Sequence, residues 1–167
     1  MISAIVCCAE DYGIGKQNGL LFDIPADMKF FVEKTRGKAI VMGYSTYLSL
    51  PKRPLKNRLN IVLWDKATSI DCLEGCITFN NFDRLLYFVK QLAAIQEVVI
   101  CGGASIYKLF LEHYDKIYLT RVRAVDPEAT AFFPNLDNRA EFVLANSSSV
   151  MVENGYKFAF LEYDRRK

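Results

Sequence analysis

Four short, unbroken apolar runs constrain this chain more than any other feature. Residues 2–8, 39–43 (Ala39-Ile40-Val41-Met42-Gly43), 59–63 (Leu59-Asn60-Ile61-Val62-Leu63) and 97–101 (Glu97-Val98-Val99-Ile100-Cys101) are apolar at nearly every position. A strand with one wet face alternates in character. A strand covered on both faces reads as a continuous apolar run, so these are expected to be parallel strands of a buried sheet. Between them lie helix-period segments near residues 26–36, 44–50, 82–94 and 104–112, the third placing Leu85, Phe88, Val89 and Leu92 on one stripe. Strand–helix alternation of this kind implies right-handed crossovers and an α/β fold.

The last third changes character. Residues 115–123, 141–147 and 156–163 have strand patterns with no helix between them, and Asn154-Gly155 makes a hairpin turn before the alternating Tyr156-Lys157-Phe158-Ala159-Phe160-Leu161-Glu162-Tyr163. The expected sheet is therefore mixed, with an antiparallel edge from the C-terminal hairpin. The 167 residues carry no linker, repeat or low-complexity segment, so a single domain over residues 1–167 is expected, long enough to bury about two-thirds of its unfolded surface.

Charge and cysteine usage narrow the partners. The net charge is +2, and no basic block exceeds Arg165-Arg166-Lys167, so there is no nucleic-acid footprint. The apolar N-terminus meets Glu10-Asp11 too soon to span a membrane and lacks the charged start of a signal peptide. Cys7, Cys8, Cys72, Cys76 and Cys101 are odd in number, four of them in or beside apolar runs. There free cysteine behaves as a small hydrophobe, which suits a reducing cytoplasm. Cys72 and Cys76 have no second pair, and His113 is the single histidine. No metal site is expected.

The chemistry starts at Asp27, inside Leu20-Leu21-Phe22-Asp23-Ile24-Pro25-Ala26-Asp27-Met28-Lys29-Phe30-Phe31. Pro25 suits the first position of a helix, which puts Asp27 in the first turn on a face shared with Phe30 and Phe31. A carboxylate against aromatic rings is costly unless a cationic or donor-rich ligand satisfies it. Local spacing alone leaves the alternative open that Asp27 faces water and complements the helix dipole.

Two glycine-bearing turns follow strands. Cys101-Gly102-Gly103-Ala104-Ser105-Ile106-Tyr107 ends a buried strand and opens a helix, and Gly43-Tyr44-Ser45-Thr46-Tyr47 does the same. Glycine lets backbone approach a ligand closely, and turns of this type at the carboxyl ends of strands outline a crevice for a phosphorylated cofactor. Neither is a Walker loop or a G-x-G-x-x-G fingerprint, so each alone also fits a purely structural turn. Asp11-Tyr12-Gly13-Ile14-Gly15-Lys16-Gln17-Asn18-Gly19-Leu20 is expected to be a long functional loop. Arg53-Pro54-Leu55-Lys56-Asn57-Arg58 adds cations near a rigid turn.

Taken together, these features resemble the dihydrofolate reductase family over nearly the whole chain. Met1-Ile2-Ser3-Ala4-Ile5, Ile14-Gly15 with Asn18-Gly19, and Ile24-Pro25-Ala26-Asp27 with Phe31 are similar to its first strand, active-site loop and pterin-binding helix. Val41-Met42-Gly43, Arg53-Pro54-Leu55 with Arg58-Leu59-Asn60, Gly102-Gly103 with Ile106-Tyr107, Tyr118-Leu119-Thr120 and Phe132-Phe133-Pro134 follow in the family's order. The resemblance implies a three-layer α/β/α sandwich around a mixed, mostly parallel sheet of about eight strands. It also implies reduction of 7,8-dihydrofolate to tetrahydrofolate by a cytoplasmic, monomeric enzyme, with hydride passing from nicotinamide C4 to pterin C6.

The implied reacting centre is Asp27, Leu20, Phe22 and Thr120. Asp27 would accept from the pterin amino group and ring N–H, Thr120 would support the carboxylate, and water would protonate N5 beside Leu20. Ile5, Val6, Met28, Phe31, Leu50, Arg53, Leu55, Cys101 and Tyr107 would surround the substrate, with Arg58 pairing with its glutamate carboxylate. The cofactor would run along Cys7, Ile14, Gly15, Asn18, Gly19, Leu20, Gly43, Tyr44, Ser45, Thr46, Trp64, Asp65 and Lys66. It would continue over Cys101, Gly102, Gly103, Ala104, Ser105, Ile106 and Tyr107.

Several positions depart from the family pattern. Phe22 and Leu21 replace a Trp and a Pro, while Tyr44, Trp64, Asp65 and Ser105 stand where basic or hydroxyl residues usually hold the 2′-phosphate of NADPH. Two arrangements are open. Tyr44 or Trp64 stacks on adenine while Asp65 accepts from a ribose hydroxyl, or Lys66 or Lys16 supplies the missing charge. NADPH is the expected cofactor and NADH the alternative. The competing functions are a catalytically silent pterin- or nucleotide-binding protein on the same scaffold, and the riboflavin-pathway pyrimidine reductase. Asp27, Arg58 and the Ile-Pro-Ala-Asp helix disfavour both.

Overall fold

The computed structural model describes residues 1–17, 19–68 and 71–167. In chain order the elements are β1 (Ile2–Cys8), β2 (Gly13–Lys16), β3 (Gly19–Leu20), α1 (Pro25–Thr35), β4 (Ala39–Gly43), α2 (Tyr44–Ser49), β5 (Leu59–Leu63) and β6 (Cys76–Phe79). They continue with α3 (Phe82–Ala93), β7 (Val98–Ile100), α4 (Ala104–Leu109), β8 (Lys116–Val122), β9 (Ala131–Phe132), β10 (Phe142–Ser147), β11 (Met151–Glu153) and β12 (Tyr156–Arg165).

All four apolar runs form parallel strands, adjacent in the order β1-β7-β4-β5. β6 extends them in parallel on one side and β8 on the other, and antiparallel β12 and β10 complete a line of eight, with β11 paired to β12. Ile40, Val41, Ile61, Val62, Val99 and Ile100 are fully buried, which is why these strands carry no polar face. Alternate residues feed two cores. Ala4, Val41, Ile61 and Ile100 pack with Leu85 and Val89 of α3 and Ile106 of α4. Ile5, Ile40, Met42, Val62 and Val99 pack with Phe30 and Phe31 of α1 and Tyr47 of α2. Helices on both faces make the expected three layers.

Local signals set the helix ends. Pro25 opens α1, and the Asn81 side chain caps α3 by accepting from the Arg84 N–H at 3.1 Å. The apolar stripe of α3 buries Leu85 and Val89 completely. The segment expected to be helical over residues 104–112 splits: α4 stops at Leu109, and a 3₁₀ turn takes Leu111–His113.

Two parts of the architecture depart from expectation. β6, short and only partly buried, is a strand that the apolar pattern does not mark. The expected long loop after β1 instead holds β2 and β3, and β2 pairs with β3 on one side and β9 on the other in a separate antiparallel sheet. Tyr12 anchors this sheet. It is 1 % exposed at φ 66°, its carbonyl accepts from the Phe133 N–H at 2.8 Å, and its hydroxyl donates to Asp137 at 2.9 Å. The Arg121 guanidinium lies 4.3 Å from the Tyr12 ring centroid. A loop pinned by a buried aromatic and a partner strand is ordered without a hydrophobic run of its own.

Candidate active site

The strand order reverses beside β1. The chain leaves β1 through α1 for β4, β5 and β6, then returns through α3 to insert β7 between β1 and β4, and passes through α4 to β8 beyond β1. In such sheets the crevice forms outside the carboxyl ends of the strands at the reversal. Asp27 occupies one side of it and the glycine turns the other.

Asp27 lies in the first turn of α1 and is half-buried. The Thr120 hydroxyl, fully buried on β8, donates to its Oδ1 at 2.7 Å. Burial pushes the Asp27 carboxyl above the ordinary carboxylate range, and the hydrogen bond from Thr120 opposes that rise. Asp27 is thus half-buried and engaged by a side-chain donor rather than standing free in water at the helix start. The helix end itself is served by Glu153, which accepts from the Ala26 N–H at 2.7 Å.

One turn along, Phe31 packs with Ile5, Leu50, Leu55 and Cys101 in one apolar cluster. Arg58 sits at its far end, 5.9 Å from the Phe31 ring centroid. Its Nε donates to the Thr35 hydroxyl at 3.0 Å and its Nη1 to the Lys56 carbonyl at 2.9 Å. Among the described residues no carboxylate pairs with it. Burial lowers its pKa, and the nearby Arg36 cation does so too. An anchored guanidinium without a counter-ion beside an apolar cluster can accept an anionic group bidentately. Arg53 is exposed, donates to the Leu48 carbonyl at 2.6 Å and lies 5.6 Å from the Tyr47 ring centroid. Met28 is 53 % exposed and, with Pro25, Lys29 and Val32, lines an open groove on the outer face of α1.

On the opposite side the Gly43 N–H donates to the Gly102 carbonyl at 2.9 Å, tying the two glycine turns together. Gly102 has φ 110°, and a Cβ there would lie 3.1 Å from the Tyr107 ring. A Cβ at Gly43 would approach Ile106 Cγ1 to 3.0 Å. Neither position admits a side chain without displacement. The first turns of α2 and α4 have no side-chain caps, which leaves backbone N–H groups free beside the hydroxyls of Ser45, Thr46 and Ser105. These features fit the phosphates of a dinucleotide. Tyr107 points into the other core and donates to the Ile5 carbonyl at 2.7 Å.

Tyr44 and Trp64 stack on each other, with ring centroids 4.1 Å apart and planes 14° from parallel. Tyr47 backs Tyr44 at 6.5 Å. Asp65 and Lys66 follow on the exposed turn after β5. Lys16 is engaged elsewhere, 2.6 Å from Asp126.

The family model for dihydrofolate reductase matches residues 1–165. The chain belongs to the dihydrofolate reductase family. It is 34 % identical over 164 residues to the dihydrofolate reductase of Neisseria meningitidis serogroup B, covering 98 % of each chain. It is 29 % identical over 167 residues to that of Bacillus subtilis, covering 99 % of this chain and 95 % of the relative. Among solved structures, the dihydrofolate reductase of Enterococcus faecalis complexed with NADP(H) and RAB-propyl superimposes with a TM-score of 0.87 at 27 % identity, covering 100 % of this chain and 97 % of that one.

The remaining expected site residues fall on several elements. Cys7 and Thr120 are register partners on the face toward α1, whereas Val6 lies on the other face, in the α3 core. Phe22 packs edge-on against Tyr156, with centroids 5.0 Å apart. Ile14, Gly15, Gly19 and Leu20 belong to the small sheet, with Leu20 67 % exposed. Asn18 lies outside the described residues. The sequence did not single out Thr35 and Asn60. Thr35 donates to the Phe31 carbonyl at 2.7 Å while accepting from Arg58. Buried Asn60 donates to the carbonyls of Leu55 and Arg58 at 2.8 and 3.1 Å and accepts from the Leu55 N–H at 3.0 Å. The available signal was a lone polar residue inside an apolar strand. Among the described residues, no helix is long and apolar enough to cross a membrane.

Proposed function

We propose that this enzyme reduces 7,8-dihydrofolate to 5,6,7,8-tetrahydrofolate with NADPH, acting as a single-domain cytoplasmic monomer. The observation that carries the reading is one half-buried carboxylate, Asp27, held by Thr120 at one end of an apolar slot, with Arg58, which pairs with no carboxylate among the described residues, at the other. A fused pterin ring with an amino group and a ring N–H matches a carboxylate bidentately, a benzoyl group suits Phe31, Leu50 and Leu55, and a glutamate carboxylate suits Arg58.

Bound reduced nicotinamide supplies the hydride. The chain's own part is positioning and electrostatics. Asp27 holds the pterin and its charge favours the protonated ring, Thr120 fixes the carboxylate, and the apolar walls exclude water except where Leu20 borders the mouth. The turns at Gly43 and Gly102-Gly103 would carry the cofactor phosphates.

At the adenosine end the reading is finer. Trp64 covers one face of Tyr44, its other face would serve as the adenine platform, and Asp65 on the turn beyond it would accept from a ribose hydroxyl. Discrimination between NADPH and NADH should therefore be weak. The test follows loss of reduced-nicotinamide absorbance with dihydrofolate, with NADPH and NADH run in parallel. Turnover with NADPH is expected, and no turnover with either cofactor would overturn the reading.

A further inference from the structure

Asp27 is unusual in what surrounds it. Burial raises its pKa, and what opposes the rise is donation from side chains, Thr120 first, with no Lys or Arg among the influences. A carboxylate ionised without a cation depends on its donors alone, so each one counts.

We propose that Cys7 is a positioning residue, its thiol a second donor that brackets the Asp27 carboxylate together with Thr120. β1 and β8 are parallel neighbours, and their register sets Cys7 directly beside Thr120. Register partners on adjacent strands project from the same face of a sheet. Thr120 already reaches Asp27 Oδ1 at 2.7 Å from that face. Cys7 packs with Ile24, Phe22 and Ala26, the residues leading into Asp27, whereas its neighbour Cys8 points into the opposite core.

The chemistry of the thiol agrees with this place. Burial raises the Cys7 pKa far above its ordinary value, and the Asp27 charge raises it further. It therefore stays protonated over the working range and can only donate. The other titratable groups that sense Asp27 are Cys8 on β1 and Tyr107 on α4, both held neutral by burial. From β11, Glu153 faces the same helical turn and accepts from the Ala26 N–H. None of these supplies a proton donor to Asp27.

The catalytic consequence rests on the proposed function, but the bracket itself is measurable without turnover. Carbon-13 NMR of the carboxyl group follows the Asp27 titration in the ligand-free enzyme, with Asp27→Asn assigning the signal. In Cys7→Ala the midpoint should rise by about 0.5–1 pH, making Asp27 roughly a three- to tenfold weaker acid. Cys7→Ser keeps a donor of similar size and should return the midpoint to the wild-type value or below. The acid limb of kcat/KM for dihydrofolate should move by the same amount in the same direction. An unchanged midpoint in Cys7→Ala would overturn the proposal, and so would equal rises in Cys7→Ala and Cys7→Ser, which would make volume the cause. A midpoint that moves as expected in an enzyme that turns over no dihydrofolate would support the bracket and overturn the proposed function instead.

Discussion

Asp27→Asn keeps the shape of the side chain and removes its charge. Thr120 donates to Asp27 Oδ1 at 2.7 Å, and an amide oxygen can accept that bond equally. The new amide is thereby oriented with its NH₂ toward the crevice, where the pterin presents donors of its own. Two charge-assisted hydrogen bonds are lost at about 1.5–3 kcal/mol each. The transition state then loses about 3–6 kcal/mol, a fall in kcat/KM of roughly a hundredfold to ten-thousandfold at pH 7. The deficit should shrink as pH falls, because the substrate then arrives protonated. Stability should move the other way. Burial raises the Asp27 pKa in the folded enzyme, so the fold binds this proton more tightly than the unfolded chain does. The stability this contributes is full below the ordinary carboxylate pKa and is lost as pH rises through the raised one. At pH 7 the variant should therefore be more stable than wild type, by about 0.5–2 kcal/mol, and the gain should disappear in acid. Turnover by absorbance and Tm by calorimetry, both across pH, provide the check. A kcat/KM within about threefold of wild type at pH 7, or a Tm that falls together with activity, would refute the reasoning.

The other predictions concern the two ends of the crevice. Arg58→Leu should weaken folates carrying glutamate by about 2–5 kcal/mol and leave tail-less pterins nearly unaffected in binding titrations; equal losses would reduce Arg58 to a loop support. Thr35→Val removes the hydroxyl that orients Arg58, so KM for dihydrofolate should rise about three- to tenfold with kcat unchanged, and a fall in kcat alone would contradict that role. The kcat/KM ratio of NADPH to NADH should lie within about tenfold, and Asp65→Arg should raise it; a wild-type ratio above about a hundredfold would show that Lys66 or another cation already holds the phosphate. Trp64 is the single tryptophan, so its fluorescence should change on titration with ADP, and a flat titration at saturation would remove the adenine platform.

Much of this enzyme was legible in one dimension, for a physical reason in each case. Strands buried on both faces must be apolar throughout, so β1, β4, β5 and β7 announced a parallel sheet. Pro25 set the start of α1 and so the turn that carries Asp27, and Gly102 and Gly43 stand where a Cβ would force Tyr107 or Ile106 to shift. Leu85 and Val89 marked the buried stripe of α3.

The rest depended on contacts between residues far apart in the chain. Thr120 lies 93 residues from Asp27, and nothing in the local pattern of β8 tells a threonine that supports a carboxylate from one that fills a strand. β2 is a strand because β9 offers a partner 116 to 119 residues away, and β3 pairs with β2 in turn; their sequence is rich in glycine and has no strand period. The mutual stacking of Tyr44 on Trp64 required β4 and β5 to lie side by side, and the place of Cys7 beside Thr120 required the register of β1 on β8. Periodicity and backbone chemistry are written residue by residue, so the sequence alone determined the layers and the turns. Register and strand order exist only once the sheet has formed, and they decided which side chains meet in the crevice.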